Sequence, residues 1–232
     1  LILIGLLLVA ALYSSVGHGG APGYLALLSL ASYGLMDDSW LKQQAWCLNI
    51  VVASIAFYHY RKAGHHDSKL TLPFIAASVP FALLGGYLVV EGNIYDILLS
   101  IALVGAAWRL FVVKSEVYED SLEPVDLRSS LPVGVMIGLA SGVIGVGGGI
   151  FLSPVMLLKR WATPKAAAAT AALFILANSA ASLVGAGLSG QLDVDLSALA
   201  PFVAVVLVGG LVGSRYGAEV APQQLVRNLL VA

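Results

Sequence analysis

The sequence predicts an all-α, polytopic membrane protein with two inverted-topology repeats, each a glycine-broken helix pair followed by three transmembrane helices. Hydrophobic residues make up 59% of the 232 residues and charged residues only 11%, too little charge to cover the surface of a soluble domain. Apolar runs near the ~20 residues that cross a bilayer recur along the whole chain. Two glycine-rich stretches are followed by the same order of landmarks, which indicates two related halves.

Ten apolar segments, each bounded by charged or turn residues, predict ten helices. We expect a first membrane repeat at 1–114, a cytoplasmic linker at 115–130 and a second, C-terminally incomplete repeat at 131–232. The segments are 1–16, 24–35, 44–60, 70–90 and 94–113 in the first repeat, and 131–144, 151–158, 166–186, 196–212 and 225 onward in the second.

The first two segments of each half are too short to cross a bilayer comfortably, and they flank a glycine-rich centre. One centre is GHGGAP, from Gly17 to Pro22, and the other is GVGGG, from Gly145 to Gly149. A continuous helix through so many glycines is costly, so each pair is predicted to be two helices that meet at a break inside the membrane. Whether a pair re-enters from one side or crosses twice stays open. Either alternative, with three long segments, gives an odd number of crossings, so the second half is predicted to be inverted.

The two halves also align residue by residue. VGHGGAPGYLALL in the first half matches IGVGGGIFLSPVM in the second, Asn49 matches Asn178, and Gly85-Gly86 matches Gly209-Gly210. The offset between matched positions stays between 124 and 129 residues. A shared register over three landmarks is a much stronger signal of duplication than one glycine cluster.

The distribution of basic residues favours the same inversion, because Lys and Arg accumulate in cytoplasmic loops. Alternating the segments leaves only Lys42 in a loop on the outer side, where Asp37, Asp38, Glu91, Asp193 and Asp195 also fall. We therefore expect a multi-pass protein of the cell inner membrane. The nine basic residues assigned to the cytoplasmic side are Arg61, Lys62, Lys69, Lys114, Arg128, Lys159, Arg160, Lys165 and Arg215.

The glycine centres are candidate anion-binding elements. In inverted-repeat transporters, broken helices expose backbone groups near the midplane, and helix N-termini direct positive dipole ends at anions. Glycine lets a ligand approach backbone N–H groups without a Cβ in the way. The alternative is that these glycines only allow close helix packing and bind nothing. The glycines predicted to bind substrate are Gly17, Gly19, Gly20, Gly145, Gly147, Gly148 and Gly149.

Polar residues near the breaks complete the predicted site. Asn49 and Asn178 are lone amides inside apolar spans, where each needs an interhelical bond or a ligand. His18 lies in the first break, where protonation could add positive charge, although its counterpart in the second half is Val146. Serine hydroxyls can donate to an anion, but in membrane helices they often bond their own backbone. Supporting candidates are Ser14, Ser15, Gln44 and Ser141, together with Pro22 and Pro154, which are predicted in the first turn of a helix.

Several classes of function are disfavoured. No span carries paired carboxylates, a readable Ser, His and Asp set or a phosphate-binding loop, so we expect neither an enzyme nor a pump driven by nucleotide hydrolysis. No cofactor and no metal are expected, and the single cysteine, Cys47, lies in an apolar run. A net charge of −1 provides no basic face for nucleic acid.

The segment GVGGGIFLSPVML, residues 145–157, together with VGHGGAPGY in the first half, resembles the TauE/SafE sulfite-exporter family of membrane permeases. The resemblance covers nearly the whole chain, and the first-half copy departs from the motif at His18 and Gly23. It implies export of sulfite, sulfoacetate or a related sulfonate.

The sequence therefore predicts a secondary transporter that exports a small anion from a midplane site formed by the two breaks. A passive anion channel is the alternative, since it would need the same site but no alternation. The expected partners are the small anionic substrate and the lipid bilayer, with a homodimer as one assembly that the sequence leaves open.

Overall fold

The computed structural model describes residues 1–31, 33, 36–88, 90–112 and 122–231. Within these ranges the chain forms ten α-helices and one π-helical segment, with no β-strand. The all-α fold class is therefore confirmed. The helices are α1 (Ile2–Ser14), α2 (Ala21–Leu30), α3 (Asp38–Lys62), α4 (Ser68–Tyr87), α5 (Asn93–Val112), α6 (Leu127–Ile144), α7 (Gly149–Leu158), α8 (Pro164–Leu188), α9 (Leu196–Arg215) and α10 (Gln223–Val231), and the π segment is Tyr216–Val220.

Each of the ten predicted segments coincides with one helix, but α3 and α8 begin earlier than predicted, and this changes where two lysines lie. Helix α3 begins at Asp38, six residues before the predicted start, and α8 begins at Pro164. Lys42 and Lys165 therefore lie inside helices rather than in loops. Both are buried, with only 3% and 8% of their surface exposed. A lysine can occupy such a position when its ammonium group has an acceptor, and each ammonium here donates to a backbone carbonyl.

The predicted linker at 115–130 is only partly within the described residues, because 115–121 lie outside them. Its last four residues form the first turn of α6 instead of a loop. Asp126 explains the early start, since its carboxylate accepts hydrogen bonds from the Arg128 N–H and the Ser129 hydroxyl and thereby caps the helix. Segment residues 32, 34, 35, 89, 113 and 232 also lie outside the described part of the chain, as does Lys114.

Within the described ranges, four helical stretches are long and apolar enough to cross a membrane: Ser68–Tyr87, Leu127–Ile144, Pro164–Leu188 and Leu196–Val220. Together with the other apolar helices they give a polytopic membrane protein. The first two helices and α7 contain 13, 10 and 10 residues. At 1.5 Å per residue they are roughly 15–20 Å long, short of the ~30 Å hydrocarbon core.

Glycines bring two pairs of helices into backbone contact. A Cβ added at Gly138 or Gly142 of α6 would lie less than 3.0 Å from a carbonyl oxygen of α4, and one added at Gly209 or Gly213 of α9 would lie equally close to a carbonyl of α1. Real Cβ atoms do not approach that closely. The four-residue spacing of these glycines is typical of small-residue helix packing in membranes.

The matched glycine pairs occupy equivalent surroundings in the two halves. Gly85 faces α6 and Gly86 faces α8, whereas Gly209 faces α1 and Gly210 faces α3. The predicted duplication makes α1 the counterpart of α6 and α3 the counterpart of α8. These contacts are therefore the ones that a duplicated structure would have, and they support the repeat, which stays a prediction.

Helices α3 and α8 pack against each other and run antiparallel. The start of α3 lies beside the end of α8, because Gln43 Nε2 donates to the Gln191 carbonyl oxygen at 2.7 Å. The start of α8 lies beside the end of α3, because Lys165 Nζ and His65 Nε2 both lie 3.1 Å from the Ala218 carbonyl oxygen. Corresponding helices of inverted halves run in opposite directions, so this arrangement favours the predicted inversion.

Candidate functional site

Both glycine centres interrupt the helices where the sequence predicts a break. The first break separates Ser14, the last residue of α1, from Ala21, and the second separates Ile144 from Gly149. Gly20 and Gly148 directly precede α2 and α7, with φ angles of 98° and 80°. Residues with a Cβ adopt this left-handed conformation only at a cost of roughly 1–2 kcal/mol, so the geometry of each break depends on glycine.

The two breaks meet at one point between α3 and α8. A Cβ added at Gly19 would collide with Asn49 Oδ1, and one added at Gly147 would lie 2.5 Å from Asn49 Nδ2. Ile175 of α8 closes the same point, because its Cγ2 would lie 3.1 Å and 3.0 Å from these two added atoms. We call the place where Gly19, Gly147, Asn49 and Ile175 meet the junction.

Asn49 is satisfied by interhelical hydrogen bonds within the junction. Its Oδ1 accepts from the Ala21 N–H at 3.1 Å, and its Nδ2 lies 3.4 Å from Ser179 Oγ. The side chain is fully buried, and its oxygen caps the N-terminus of α2. Asn49 thus fixes the start of one broken helix, and its second amide hydrogen faces the other break.

Asn178 occupies a different environment from its sequence counterpart. Its Oδ1 accepts a hydrogen bond from Ser78 Oγ at 2.8 Å, which joins α8 to α4. Its Nδ2 is buried and has no hydrogen-bond partner among the described residues. The structure therefore places Ser179, rather than Asn178, beside Asn49.

His18 connects the first break to α7. Its Nε2 lies 3.3 Å from Ser153 Oγ, and its ring packs edge-to-face against Tyr13 with 6.4 Å between centroids. A Cβ added at Gly149 would lie 3.2 Å from His18 Cδ2. Only 5% of His18 is exposed. Because solvent would screen it little, a positive charge on this ring would attract an anion at the breaks.

Several buried hydrogen-bonding groups next to the breaks have no partner within the described part of the chain. They include the Tyr24 hydroxyl, which would contact a Cβ at Gly20, and the Ser141 hydroxyl, whose Cβ would lie 3.5 Å from one at Gly148. Both side-chain amide atoms of Gln44, in α3, also lack a partner among the described residues. A buried donor without an acceptor costs about 1–3 kcal/mol, and an anion that reaches the breaks would remove that cost.

The remaining supporting candidates divide into two groups. Ser14 and Ser15 donate to the carbonyls of Ala11 and Leu12 in their own helix, so their hydroxyl protons are already used. Pro22 lies in the first turn of α2, as predicted. For Pro154 that prediction is wrong, because α7 already begins at Gly149 and Pro154 is its sixth residue.

The outer glycines of the breaks pack closely against helices. A Cβ at Gly17 would overlap the Ala168 carbonyl of α8, and one at Gly145 would lie 3.1 Å from Lys42 Cγ of α3. Close packing, the alternative reading of the glycines, therefore describes Gly17 well. It does not account for the unpartnered hydroxyls beside Gly20 and Gly148.

The sequence reasoning missed Tyr24, Ile175 and Ser179. Tyr24 could have been found from its spacing, since it lies one helical turn after Gly20. No local pattern distinguishes Ile175 or Ser179 from other residues of α8, and only tertiary packing brings them to the junction. Among the described residues, no group of three His, Cys, Asp or Glu side chains could hold a metal ion.

Comparison with known proteins gives a consistent identity. The family description "Sulfite exporter TauE/SafE" matches residues 1–232. A probable membrane transporter protein of Sinorhizobium fredii is 32% identical over 223 residues, covering 92% of this chain and 87% of the relative. A probable membrane transporter protein of Methanocaldococcus jannaschii is 26% identical over 127 residues, covering 49% of this chain and 43% of that protein. No solved structure matches this chain.

Proposed function

This chain belongs to the sulfite exporter TauE/SafE family of membrane transporters, and on that premise we propose that it exports a small anion by alternating access. The proposed substrate is sulfite or an organosulfonate such as sulfoacetate, and the proposed location is the cell inner membrane. The relatives are named as probable membrane transporters, so we propose that the breaks form a binding site rather than a catalytic one.

One observation carries the proposal: two helix breaks meet at Asn49, and buried hydroxyls beside them lack acceptors among the described residues. An oxyanion such as sulfite presents several acceptor oxygens. Tyr24 lies next to the first break and Ser141 next to the second, so each break offers an unpartnered hydroxyl donor to an anion. The N-terminal dipole of α7, which starts at Gly149, adds favourable charge at the same place.

The proposed mechanism moves one half against the other around this site. The first break contacts α8 through Ala168 and the second contacts α3 through Lys42, so each half holds the break of the other. A shift between α3 and α8 would therefore change the spacing of the two breaks together. In transporters with inverted repeats, such rocking exposes a fixed midplane site to alternate sides.

The second candidate is a passive anion channel built on the same breaks. It would need no relative movement of the halves, and its flux would not depend on anion on the opposite side. Secondary transport is the better supported candidate, because Asn49 and Ile175, the side chains of the junction, are fully or nearly fully buried, so solvent does not reach them in this structure.

Counterflow in proteoliposomes separates the two candidates. Purified protein is reconstituted, the vesicles are loaded with unlabelled sulfite, and uptake of labelled sulfite is measured with and without the internal load. The proposal expects saturable uptake that internal sulfite stimulates, with sulfoacetate as a competitor. Uptake that rises linearly with sulfite concentration and does not depend on the internal load would support the channel. Uptake equal to that of protein-free vesicles would contradict both the transporter and the channel.

A further inference from the structure

Two buried lysines lie near opposite ends of the antiparallel α3–α8 pair. Lys42 is in the second turn of α3 and Lys165 is the second residue of α8. Their exposed fractions are 3% and 8%. A charged side chain inside a membrane protein is costly to bury, and such residues commonly mark the path of a substrate or an ion.

The two lysines are held in matching ways. Lys42 Nζ donates to the Val90 carbonyl just after α4, and Lys165 Nζ donates to the Ala218 carbonyl in the π segment just after α9, each at 3.1 Å. The ammonium of Lys42 also lies 5.2 Å from the centre of the Tyr95 ring. Since α9 is the predicted counterpart of α4, a buried lysine that donates to a carbonyl after this helix occurs once in each half.

Neither ammonium group is neutralised by an ion pair within the described residues. Asp38 and Glu91 attract Lys42 through their charge, but no carboxylate of the described part of the chain forms a salt bridge with either lysine. An ammonium group has three donors, and a single carbonyl occupies only one of them. Each ammonium group therefore has N–H donors left over beyond the one that its carbonyl accepts.

Each lysine adjoins one helix break. Lys42 packs against Gly145, the first residue of the second break. Lys165 lies one turn before Ala168, whose carbonyl packs on Gly17 of the first break. Lys165 also donates to the Ala218 carbonyl, and the preceding residue, Gly217, packs on the Ser15 carbonyl. The lysines thus flank the junction from its two sides.

Helix geometry gives the distance from each lysine to the junction. Lys42 precedes Asn49 by seven residues, two turns on the same face of α3, or about 10 Å. Lys165 precedes Ile175 by ten residues, or about 15 Å. A positive charge at this spacing on either side of a midplane site would attract an anion from whichever side is open.

We propose that Lys42 and Lys165 are the two cationic entrance residues of the anion pathway, each binding the anion on its own side before it reaches the junction. This inference rests on the proposed anion transport. It adds the residues that select negative charge and assigns each of them to one side. In the inward- or outward-open state, the ammonium nearest the opening would donate its free N–H groups to the arriving anion.

The test uses Lys42→Met and Lys165→Met, which keep the aliphatic stem and remove the charge. An unpaired buried charge is costly, so its removal offsets the cost of leaving the carbonyl of Val90 or Ala218 without this donor, and both variants are expected to fold. Lys69→Gln is the matched control, since Lys69 is exposed at the start of α4. The corresponding Arg variants test whether charge alone restores binding.

Sulfite counterflow is measured in vesicles of known protein orientation. Each Met variant should raise the KM about tenfold for sulfite presented on its own side, as expected for loss of one charge-assisted hydrogen bond, while the KM on the other side stays near the wild-type value. The Arg variants should recover most of the affinity, and Lys69→Gln should match the wild type.

The outcomes distinguish this inference from the function on which it rests. If wild-type vesicles show no sulfite counterflow, the proposed function fails. If the wild type transports and folded Met variants keep its KM on both sides, only the role of the lysines fails. Loss of folding in the Met variants would overturn the inference equally, because the ammonium groups would then have a structural role.

Discussion

Gly147 provides a direct test of the junction, because a second glycine with almost the same φ angle serves as its control. Gly147 has a φ of 74° and Gly64 a φ of 80°. A Cβ at Gly64 would meet nothing within 4 Å, whereas one at Gly147 would lie 2.5 Å from Asn49 Nδ2. Substitution with alanine at both positions therefore separates backbone strain from displacement of Asn49.

The losses of unfolding free energy expected for the two alanine variants differ by the contribution of the Asn49 cap on α2. Gly64→Ala should cost roughly 1–2 kcal/mol of unfolding free energy, from the left-handed conformation alone. Gly147→Ala should cost about 1 kcal/mol more, because a displaced Asn49 no longer caps α2. A difference of that size corresponds to a melting temperature lower by about 2–4 °C in a protein of this length.

Thermal denaturation of the detergent-purified proteins and sulfite counterflow are the two assays. Gly64→Ala should transport like the wild type, since Gly64 lies in the open loop between α3 and α4, and Gly147→Ala should lose most of its transport. If both variants melt and transport alike, the breaks do not meet at Asn49 in the way described.

Three further predictions follow from individual contacts. Gly213→Ala should lower the melting temperature by separating α9 from α1, whereas Gly187→Ala, where the added Cβ meets nothing within 4 Å, should be neutral or stabilising by up to about 1 kcal/mol; equal melting temperatures would contradict the packing. Asn49→Ala leaves the first N–H of α2 without its acceptor and should cost about 1–3 kcal/mol, with lower sulfite uptake; wild-type stability would show that the cap is unimportant. Burial lowers the pKa of His65, the charge of Lys165 lowers it further, and the bond to the Ala218 carbonyl opposes the shift. The stabilisation by the neutral His65 ring is therefore fully present above the ordinary histidine pKa of about 6.5. It is lost as pH falls through the lowered pKa of His65. The difference in melting temperature between wild type and His65→Gln should therefore shrink from about pH 7.5 to about pH 5.5, and a constant difference would argue against this titration.

The helices and both breaks could be predicted from the sequence because their signals are local. Long apolar runs require helices in a bilayer, and the clusters at Gly17–Gly20 and Gly145–Gly149 disfavour a continuous helix whatever surrounds them. The start of α3 could not be predicted in the same way. Lys42 and Gln43 are indistinguishable from a polar boundary until their acceptors in other elements are known.

The candidate site was only partly predictable for a related reason. Asn49 is conspicuous as a lone amide in an apolar run, but its partners Ala21 and Ser179 lie 28 and 130 residues away. Asn178 has the same local pattern and a different environment, since it bonds Ser78 of α4. Positions that the predicted repeat matches therefore do not share every side-chain role.

Equilibrium binding of labelled sulfite to purified protein tests most directly whether the two breaks form one anion site. Tyr24→Phe and Ser141→Ala each remove one unpartnered hydroxyl, next to the first and the second break respectively. Each should weaken the Kd about tenfold, the loss of about 1.4 kcal/mol, while Ser54→Ala, whose hydroxyl bonds its own helix at Ile50, should bind like the wild type. Wild-type affinity in both Tyr24→Phe and Ser141→Ala would contradict an anion site at the two breaks.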